Sequence, residues 1–309
     1  MPELTAIDLF AGAGGSSLGI EQAGFDLLLA ADNDGQKLKT HDQNLPTPTL
    51  QIDLSDVDVS KLPEDKRKPD YVHGSPPCQG FSTSGTSGVD ERNDLVFDFV
   101  DWVSELNPSA VSMENVTGLR DNMPPDYLSS VLSEFERAGY NAKARVLNCA
   151  DYGIPQSRKR LFILAYEGGG DTSKYFPNPT HSTVRSSTLT GQTLKTHVSA
   201  AEYVDEITEI SGGEIKAQGR TSNAAWRSTS RPSPTITAQG NNYIRINGEV
   251  RRMTPDELAR LQTFPADWEF TGDKSEVLEQ IGNAVPPKMQ KVVAEHVNRL
   301  LRASEQAQD

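Results

Sequence analysis

The sequence predicts an α/β fold, in which a mostly parallel sheet is covered by helices and a smaller domain is inserted late in the chain. Three observations support this prediction. Apolar segments of strand length alternate with helical patterns through roughly the first half. A glycine turn separates the first strand from the first helix. After residue 165 this alternation gives way to a long stretch rich in Ser, Thr and Gly.

Seven strands are expected. They are residues 6–10, 26–31, a strand that ends at Asp53, and residues 71–73, 110–113, 144–147 and 161–165. Helical patterns cover residues 16–23, 35–44, 93–106 and 127–138. Because strands that alternate with helices are joined by crossovers, this order predicts a seven-stranded, mostly parallel sheet with helices on both faces.

The chain divides into three predicted segments. Residues 1–166 form the α/β domain, residues 167–275 the inserted domain, and residues 276–309 a segment that returns to the first domain. The inserted domain includes a helix that follows Thr254, with Pro255 in its first turn. Residues 286–302 have helical apolar spacing, and residues 303–309 predict a frayed polar tail.

Composition restricts the class of protein. The 309 residues are 36% hydrophobic, which is enough for a substantial core. The sequence has no apolar run of membrane-spanning length and no charged-then-apolar amino terminus. Its two cysteines argue against a disulfide framework. These features predict a cytoplasmic globular protein without a membrane segment, and no metal site is expected.

Charge is distributed unevenly. The net charge is −13, yet residues 168–250 contain eight Lys and Arg against seven Asp and Glu, or about +1. Four arginines form a basic stripe there, namely Arg220, Arg227, Arg231 and Arg245. Basic surface in an acidic protein suggests a phosphate-bearing partner. The acidity of the remainder has two open explanations, adaptation to a salty cell interior and general solubility.

Cys78 is the candidate nucleophile. Pro76 and Pro77 precede it and forbid helix, so the chain leaves the predicted strand at 71–73 in an extended conformation. Open α/β sheets bind ligands at this edge. Residues 82–88 then lack any side chain able to anchor a core, which suits a loop that closes over a substrate. The other cysteine, Cys149, matches no nucleophile position and is expected to be structural.

The glycine turn after the first strand indicates a cofactor site. Gly12, Gly14 and Gly15 permit positive φ and let a ligand approach the backbone. No Gly-Lys-Ser/Thr sequence accompanies them, so a ligand without phosphates fits better. Asp32 ends the second strand, where an acid commonly holds ribose hydroxyls.

Two further groups complete the predicted site. Glu114 ends a buried strand at the same sheet edge, where partial desolvation would raise the pKa of its carboxyl and suit it to be a general acid. Arg158 and Arg160 lie two residues apart before another strand, and guanidinium groups in the cleft would favour a thiolate.

Taken in order, these motifs resemble the cytosine-5 DNA methyltransferase family. The matching motifs are residues 8–15, Asp32, Asp53, Pro76-Pro77-Cys78-Gln79, Glu114-Asn115-Val116, residues 156–160 and Gln280-Ile281-Gly282-Asn283-Ala284-Val285. They cover nearly the whole chain. The resemblance implies a Rossmann-like, S-adenosylmethionine-dependent methyltransferase fold with a small inserted target-recognition domain, of the prokaryotic restriction-modification type.

The resemblance also implies a role for each matching residue. Cys78 would add to C6 of a flipped-out cytosine, Glu114 would hold and protonate N3, Arg160 would bind O2, and Arg158 would help order the catalytic loop. Cofactor contacts would come from Phe10, Ala11, Gly12, Gly14, Asp32, Asp53, Pro76, Leu95, Asn283 and Ala284. Gln79, Arg92 and Asn115 would position the active-site loop. Many relatives have Glu where this chain has Asp32, which suggests weaker cofactor binding.

Duplex DNA is the implied partner, read by the inserted domain. Candidate DNA contacts are Arg220, Arg227, Arg231, Thr235, Thr237 and Arg245, since Arg pairs well with guanine and phosphate. A monomer is expected, with a companion restriction endonuclease possible.

Three alternatives were weighed. A transfer-RNA methyltransferase of the same family is disfavoured by Gly80 and by the lack of a third cysteine. Unrelated RNA cytosine-5 enzymes would have a cysteine at the position of Glu114. A silent DNA-binding module would have lost Cys78, Glu114 or the cofactor glycines, all of which are present.

Overall fold

The structure is a computed structural model that describes residues 3–77, 95–168, 175–184, 186–187, 193–203, 213–217 and 225–306. The chain forms two compact units. Unit 1 consists of Met1–Leu147, Arg160–Pro177 and Lys291–Asp309, and unit 2 consists of Asn148–Lys159 and Asn178–Gln290. In the described part of the chain, no helix has both the length and the apolar composition needed to cross a bilayer.

The described elements of the first half alternate between strands and helices. The strands are β1 (Leu4–Leu9), β2 (Phe25–Asp32), β3 (Thr49–Gln51), β4 (Tyr71–Gly74), β5 (Ala110–Val116), β6 (Tyr140–Asn148), β7 (Gln156–Ser157) and β8 (Lys159–Glu167). The helices are α1 (Gly15–Gln22), α2 (Gly35–Asn44), α3 (Leu95–Leu106), α4 (Gly118–Asp121) and α5 (Tyr127–Arg137).

Seven of these strands form the sheet of unit 1, in the order β3-β2-β1-β4-β5-β8-β6. β1 pairs in parallel with both β2 and β4, and β8 runs antiparallel to β5. The strand order reverses between β1 and β4, and ligands bind outside the carboxyl ends of strands at such a switch point. The glycine turn follows β1 and the Pro76-Pro77 peptide follows β4, so both lie at this edge. The predicted α/β fold is confirmed.

One face of the unit 1 sheet carries the larger apolar core. Ile7, Val72 and Val111 contribute from adjacent strands, and Phe99 and Trp102 pack on them from α3. All five are fully buried, and burial of side chains of this size contributes about 1.5–3 kcal/mol each. The Trp102 indole N–H donates to the Leu54 carbonyl at 2.9 Å, which satisfies the one polar atom of that side chain.

The described part of unit 2 is built from short strands and helices. Its further described elements are β9 (His181–Ser182), β10 (Ser186–Ser187), β11 (Thr193–Thr196), β12 (Glu214–Ala217), β13 (Arg227–Ser228), β14 (Ser233–Pro234), β15 (Asn242–Ile246), β16 (Glu249–Arg252), α6 (Pro255–Leu261) and α7 (Lys274–Asn283). Helix α8 (Pro287–Gln306) follows. The largest unit 2 sheet has the order β13-β12-β15-β16, and Ile215, Ile244, Leu258, Phe264 and Ile281 form its core.

The structure differs from the predicted boundaries in several places. The third strand ends at Gln51 rather than Asp53. Helix α8 continues to Gln306, so residues 303–306 are not the predicted frayed tail; the Ala, Glu and Gln among them favour helix. Unit 2 includes residues 148–159 and 276–290, which were assigned to the first and last segments. Packing explains why residues 276–290 belong to unit 2, because Ile281 is buried in the unit 2 core.

Candidate active site

The turn after β1 has an unusual backbone conformation. Phe10 has φ of 59°, a left-handed value that a large side chain seldom adopts, while Gly12 and Gly14 have φ of 54° and 89°. Gly14 is the N-cap of α1, so the first N–H groups of that helix lie beside the turn. A strained aromatic residue followed by two left-handed glycines indicates a turn shaped for a ligand.

Asp32 holds this turn to the end of β2. One carboxylate oxygen of Asp32 accepts from the Gly12 N–H at 2.8 Å, and the other accepts from the Asp34 N–H at 2.9 Å. The side chain is 8% exposed, and burial raises its pKa above the ordinary value. A carboxylate has about four acceptor positions, so Asp32 can still accept from a ligand hydroxyl.

The other predicted cofactor residues of unit 1 lie at the same sheet edge or near it. The Asp53 carboxylate is exposed and accepts from the Ser55 N–H and hydroxyl, and these bonds lower its pKa. Pro76 is buried beyond β4, and the Ser75 hydroxyl donates to the Phe10 carbonyl at 3.1 Å. Leu95 is half-buried in the first turn of α3.

The ends of β5 and β8 bring Glu114 and Arg160 together. Arg160 Nε lies 3.0 Å from Glu114 Oε1, and the two side chains are 16% and 8% exposed. The antiparallel pairing of β5 with β8 places Arg160 opposite Val116, two residues from Glu114, so both side chains are on one face. An ion pair this little exposed is held more firmly than one on the surface.

Asn115 connects the end of β5 to the peptide that precedes Cys78. Its side-chain N–H group donates to the Pro76 carbonyl at 3.0 Å, and its side-chain oxygen accepts from the Val116 N–H. The predicted nucleophile Cys78, the loop residues Gln79 and Arg92, and the DNA candidate Arg220 lie outside the described residues.

Arg158 belongs to unit 2, where it is 1% exposed. Its guanidinium donates to three carbonyls, those of Ile236 at 3.0 Å, Gly282 at 3.1 Å and Ala284 at 3.1 Å. Arg158 therefore joins the Thr235–Thr237 segment to the end of α7. The predicted cofactor residues Asn283 and Ala284 lie at the end of α7. Asn283 is exposed and Ala284 is half-buried.

Gly282 allows these two segments to approach closely. A Cβ atom at residue 282 would lie 2.2 Å from the Ala238 nitrogen, so only glycine fits without a backbone shift. Gln156 makes a further connection, since its side-chain oxygen accepts from the Ile236 N–H at 3.0 Å. Gln156 and Arg158 of the motif at residues 156–160 thus have a packing role inside unit 2.

The described DNA candidates occupy two places in unit 2. Arg227 and Arg231 line a cavity of about 490 Å³ together with Trp226, Ser228 and Ser230. Arg231 and Thr237 are exposed. The Thr235 hydroxyl instead donates to the Ser157 carbonyl at 3.0 Å.

Arg245 is part of a basic and aromatic sheet face that the sequence analysis missed. This face includes Lys216, Trp226, Tyr243, Arg245 and Arg252, together with Glu214, whose carboxylate pairs with the Arg245 guanidinium. The guanidinium of Arg245 lies 4.5 Å from the centre of the Trp226 ring, and that of Arg252 lies 5.7 Å from the Tyr243 ring. The available signal was the two-residue spacing of Tyr243 and Arg245, which places both on one face of a strand.

Comparison with known proteins agrees with this architecture. The family model described as C-5 cytosine-specific DNA methylase matches residues 4–299. Type II methyltransferase M1.HphI of Haemophilus parahaemolyticus is 34% identical over 326 residues, covering 96% of this chain and 87% of that protein. Type II methyltransferase M.HgiDI of Herpetosiphon aurantiacus is 32% identical, covering 92% of this chain and 90% of its own length.

A solved structure supports the fold. The crystal structure of the S. pombe Dnmt2 methyltransferase superposes with a TM-score of 0.67 at 18% identity, covering 97% of this chain and 99% of that one. Likeness at this level of identity concerns the fold only. The match of the family model over nearly the entire chain decides the relationship: this chain belongs to the C-5 cytosine-specific DNA methylase family.

Proposed function

We propose that this protein transfers a methyl group from S-adenosylmethionine to C5 of a cytosine in a specific duplex DNA sequence. The observation that carries the proposal is the end of β5. There Glu114 pairs with Arg160, and the neighbouring Asn115 bonds to Pro76, two residues before Cys78. An acid and a cation at adjoining strand ends, with a nucleophile two residues beyond Pro76 in the sequence, are the groups that activation of a pyrimidine ring requires.

The chemistry follows from these residues. The Cys78 thiolate adds to C6 of the cytosine, while Glu114 donates a proton to N3 and Arg160 donates hydrogen bonds to O2. Addition at C6 places electron density on C5, which becomes a carbon nucleophile. After C5 is methylated, solvent water takes the C5 proton, the C6–sulfur bond breaks to release Cys78 as a thiolate, and N3 returns its proton to Glu114, which restores the aromatic ring. N3 and O2 are neighbouring positions on the ring, and the proximity of Glu114 to Arg160 supports their acting on them together.

The turn after β1 fits the proposed methyl donor. When bound, S-adenosylmethionine supplies an electrophilic methyl group on a positively charged sulfur. Asp32 and Asp53 would accept from hydroxyl or amino groups of the donor, and the left-handed Phe10 and Gly12 leave the backbone accessible. A Cβ atom at Gly12 would meet nothing within 4 Å, which marks open space over the turn. Pro76, Leu95, Asn283, Ala284, Ala11 and Gly14 complete the proposed contacts.

The remaining predicted residues would position other groups and would not take part in bond formation. Arg158, through its three carbonyl partners, would order the unit 2 segments that present Thr237 and Asn283. Gln79 and Arg92 would close the loop on the flipped cytosine, whose extrusion from the duplex costs a few kcal/mol.

Unit 2 is the proposed target-recognition unit. Arg227 and Arg231 beside their cavity are suited to base edges, and the exposed Thr237 adds a hydroxyl. The sheet face of Lys216, Trp226, Tyr243, Arg245 and Arg252 is suited to the phosphate backbone, with Arg220 as a further candidate. Action as a monomer in the cytoplasm and a companion restriction endonuclease complete the proposal, together with functional segments 1–166, 167–275 and 276–309, which are divided differently from the compact units.

Methyl transfer can be followed directly. The protein is incubated with S-adenosylmethionine labelled in its methyl group and with either duplex DNA or transfer RNA. Label is expected in duplex DNA and is expected to disappear in Cys78→Ala. Label in transfer RNA alone would exclude DNA as the substrate, and label in DNA that persists in Cys78→Ala would exclude the nucleophile.

A further inference from the structure

A row of buried polar side chains crosses the unit 1 sheet at its carboxyl edge. Asp8 on β1 pairs with His73 on β4, and His73 pairs with Ser112 on β5. Paired residues of parallel strands project from the same face, and this face is opposite to that of Ile7 and Val72 in the apolar core. All three polar residues are fully buried. None of them has a role in the proposed chemistry.

Each end of this row is hydrogen-bonded. The Ser16 and Ser17 hydroxyls at the start of α1 donate to Asp8 Oδ2 at 2.7 and 2.6 Å. At the other end, Ser112 Oγ lies 2.7 Å from His73 Nδ1 and is also bonded to the Tyr71 hydroxyl. The glycine-turn helix therefore holds one end, and β5 holds the other.

The row is not hydrogen-bonded between Asp8 and His73 in the described structure. In the described part of the chain, Asp8 Oδ1 and His73 Nε2 are buried and have no hydrogen-bond partner. Buried polar atoms are almost always hydrogen-bonded, so two open atoms on directly paired residues require an explanation. A buried water that bridges both atoms would satisfy them, and such waters are regular components of protein interiors.

The direction of the hydrogen bonds is consistent with a bridge. If Tyr71 donates to Ser112 and Ser112 donates to His73 Nδ1, the ring proton resides on Nε2 and can be donated to a water. Burial raises the pKa of Asp8 to about 7, so above that pH the water donates to an ionised Asp8 carboxylate, which only accepts. Burial lowers the pKa of His73 to about 3, which keeps the ring neutral as this arrangement requires.

We propose that one buried water joins Asp8 Oδ1 to His73 Nε2, and that the resulting row fixes the glycine turn relative to the strand that leads to Cys78. His73 and Asp8 are then positioning residues for methyl transfer, an inference that rests on the proposed function. Asp8 precedes Phe10 by two residues, and His73 precedes Pro76 by three. A shift of β4 along β1 would displace the nucleophile from the donor that the turn holds.

A second set of contacts also joins the two strand ends. The Ser75 N–H donates to the Leu9 carbonyl at 3.3 Å and the Ser75 hydroxyl donates to the Phe10 carbonyl. These bonds join the backbone at the edge of the sheet, whereas the Asp8–His73 row would hold the side chains beneath it. The Ser75 bonds limit how far β1 and β4 can separate. The row would in addition limit how far the two strands can twist relative to each other.

A matched set of variants tests this role. His73→Leu removes the Nε2 donor, and His73→Gln restores an N–H group at a similar distance from the backbone. The control is Thr5→Val, which removes a hydroxyl that donates to Asp70 at 2.8 Å and so joins the same two strands at the opposite edge of the sheet. Cofactor affinity by equilibrium dialysis, KM and kcat at pH 8 are measured, with the melting temperature of each variant.

For His73→Leu, a loss of about tenfold in kcat together with weaker cofactor binding is expected, because a small displacement of reacting groups is costly. His73→Gln should recover most of both, and Thr5→Val should change neither. If His73→Leu and Thr5→Val lower only the melting temperature, with kcat and cofactor affinity unchanged, the positioning role is excluded.

The bridge itself has a test that is independent of activity. A crystal structure of the unmodified protein at high resolution should show a water within hydrogen-bond distance of both Asp8 Oδ1 and His73 Nε2. Absence of density there overturns the proposal even if the protein methylates DNA. Density there in a protein that does not methylate DNA would leave the bridge in place and refute only the proposed function.

Discussion

The two units hold their functional side chains in different ways. In unit 1, Asp8, Asp32, Glu114 and Asn115 end long strands and are at most 8% exposed. Each has a specific partner in the described structure. In unit 2, the described DNA candidates lie on strands of two to five residues, as Arg227 and Arg245 do, or in the segments between strands. Arg231, Thr237 and Arg252 are exposed.

This difference matches the two tasks that the proposal assigns. Bond-making requires groups fixed to within a fraction of an ångström, which buried strand ends provide. Reading a DNA sequence requires side chains that extend outward, and short strands accept substitutions without disturbing a large core. The expected consequence is that substitutions in unit 1 change the rate, whereas those in unit 2 change affinity or sequence preference.

The largest expected effect is in unit 1, at Glu114. Glu114→Gln keeps the shape but cannot donate a carboxylic-acid proton, so kcat should fall by about 10²–10⁴-fold. DNA affinity, measured by filter binding, should change little. The matched control Glu167→Gln alters an exposed acid at the end of β8 and should keep full activity. A kcat for Glu114→Gln within threefold, roughly, of the unmodified protein would remove Glu114 from the chemistry.

A second effect distinguishes the buried acids of unit 1 from surface acids. Burial raises the pKa of Asp8 from 3.8 to about 7. The folded state therefore binds the proton more tightly than the unfolded state, and the stabilisation is complete below pH 4 and lost as pH rises through 7. Its full size is about 4 kcal/mol, since each pKa unit corresponds to about 1.4 kcal/mol.

Urea unfolding measures this effect. The free energy of unfolding of the unmodified protein should fall between pH 4 and pH 7 relative to that of Asp8→Asn, which cannot titrate. Equal pH dependence in the two proteins would show that Asp8 has an ordinary pKa in the folded state.

Arg158 differs from the exposed side chains of unit 2 because it is almost fully buried. Arg158→Met should leave three carbonyls, two of them buried, without this donor and destabilise unit 2 by about 3 kcal/mol or more. Arg137→Met, at a 72% exposed arginine in a surface ion pair, should cost less than about 1 kcal/mol. If both variants unfold at the same urea concentration, Arg158 does not brace unit 2.

The smallest expected effect concerns the sheet face of Lys216, Trp226, Tyr243, Arg245 and Arg252. Arg252→Gln should weaken DNA binding uniformly across sequences and reduce the slope of log affinity against log salt by about 1. Lys39→Gln, at an exposed lysine on α2, is the charge-matched control and should keep the slope. An unchanged slope for Arg252→Gln would mean that this face does not contact phosphate.

The sequence predicted much of unit 1 because its signals are local. Apolar runs, prolines and the glycine turn each specify their own segment, and the sheet brings Glu114 and Arg160 to one edge as expected. The Asp8–His73 row could not be predicted from the sequence. It depends on the pairing of β1 with β4, in which the paired residues Asp8 and His73 are sixty-five positions apart in the chain.

Unit 2 was less predictable for the same reason. Its strands are too short to show a period, and the contact between Trp226 and Arg245 depends on which strands pair. Arg158 was expected in the cleft on the basis of its spacing from Arg160, yet its described partners are carbonyls of Ile236, Gly282 and Ala284 in unit 2. Charge and spacing alone do not say which of two arginines becomes buried.

We propose that unit 1 methylates cytosine and that unit 2 selects the sequence. Bisulfite sequencing of plasmid DNA from cells that produce the unmodified protein tests it most directly, with cells producing Cys78→Ala as the control. Conversion-resistant cytosines confined to one short sequence, and absent in the control, are the predicted result. No resistant cytosines, or resistant cytosines scattered without regard to sequence, would contradict the claim.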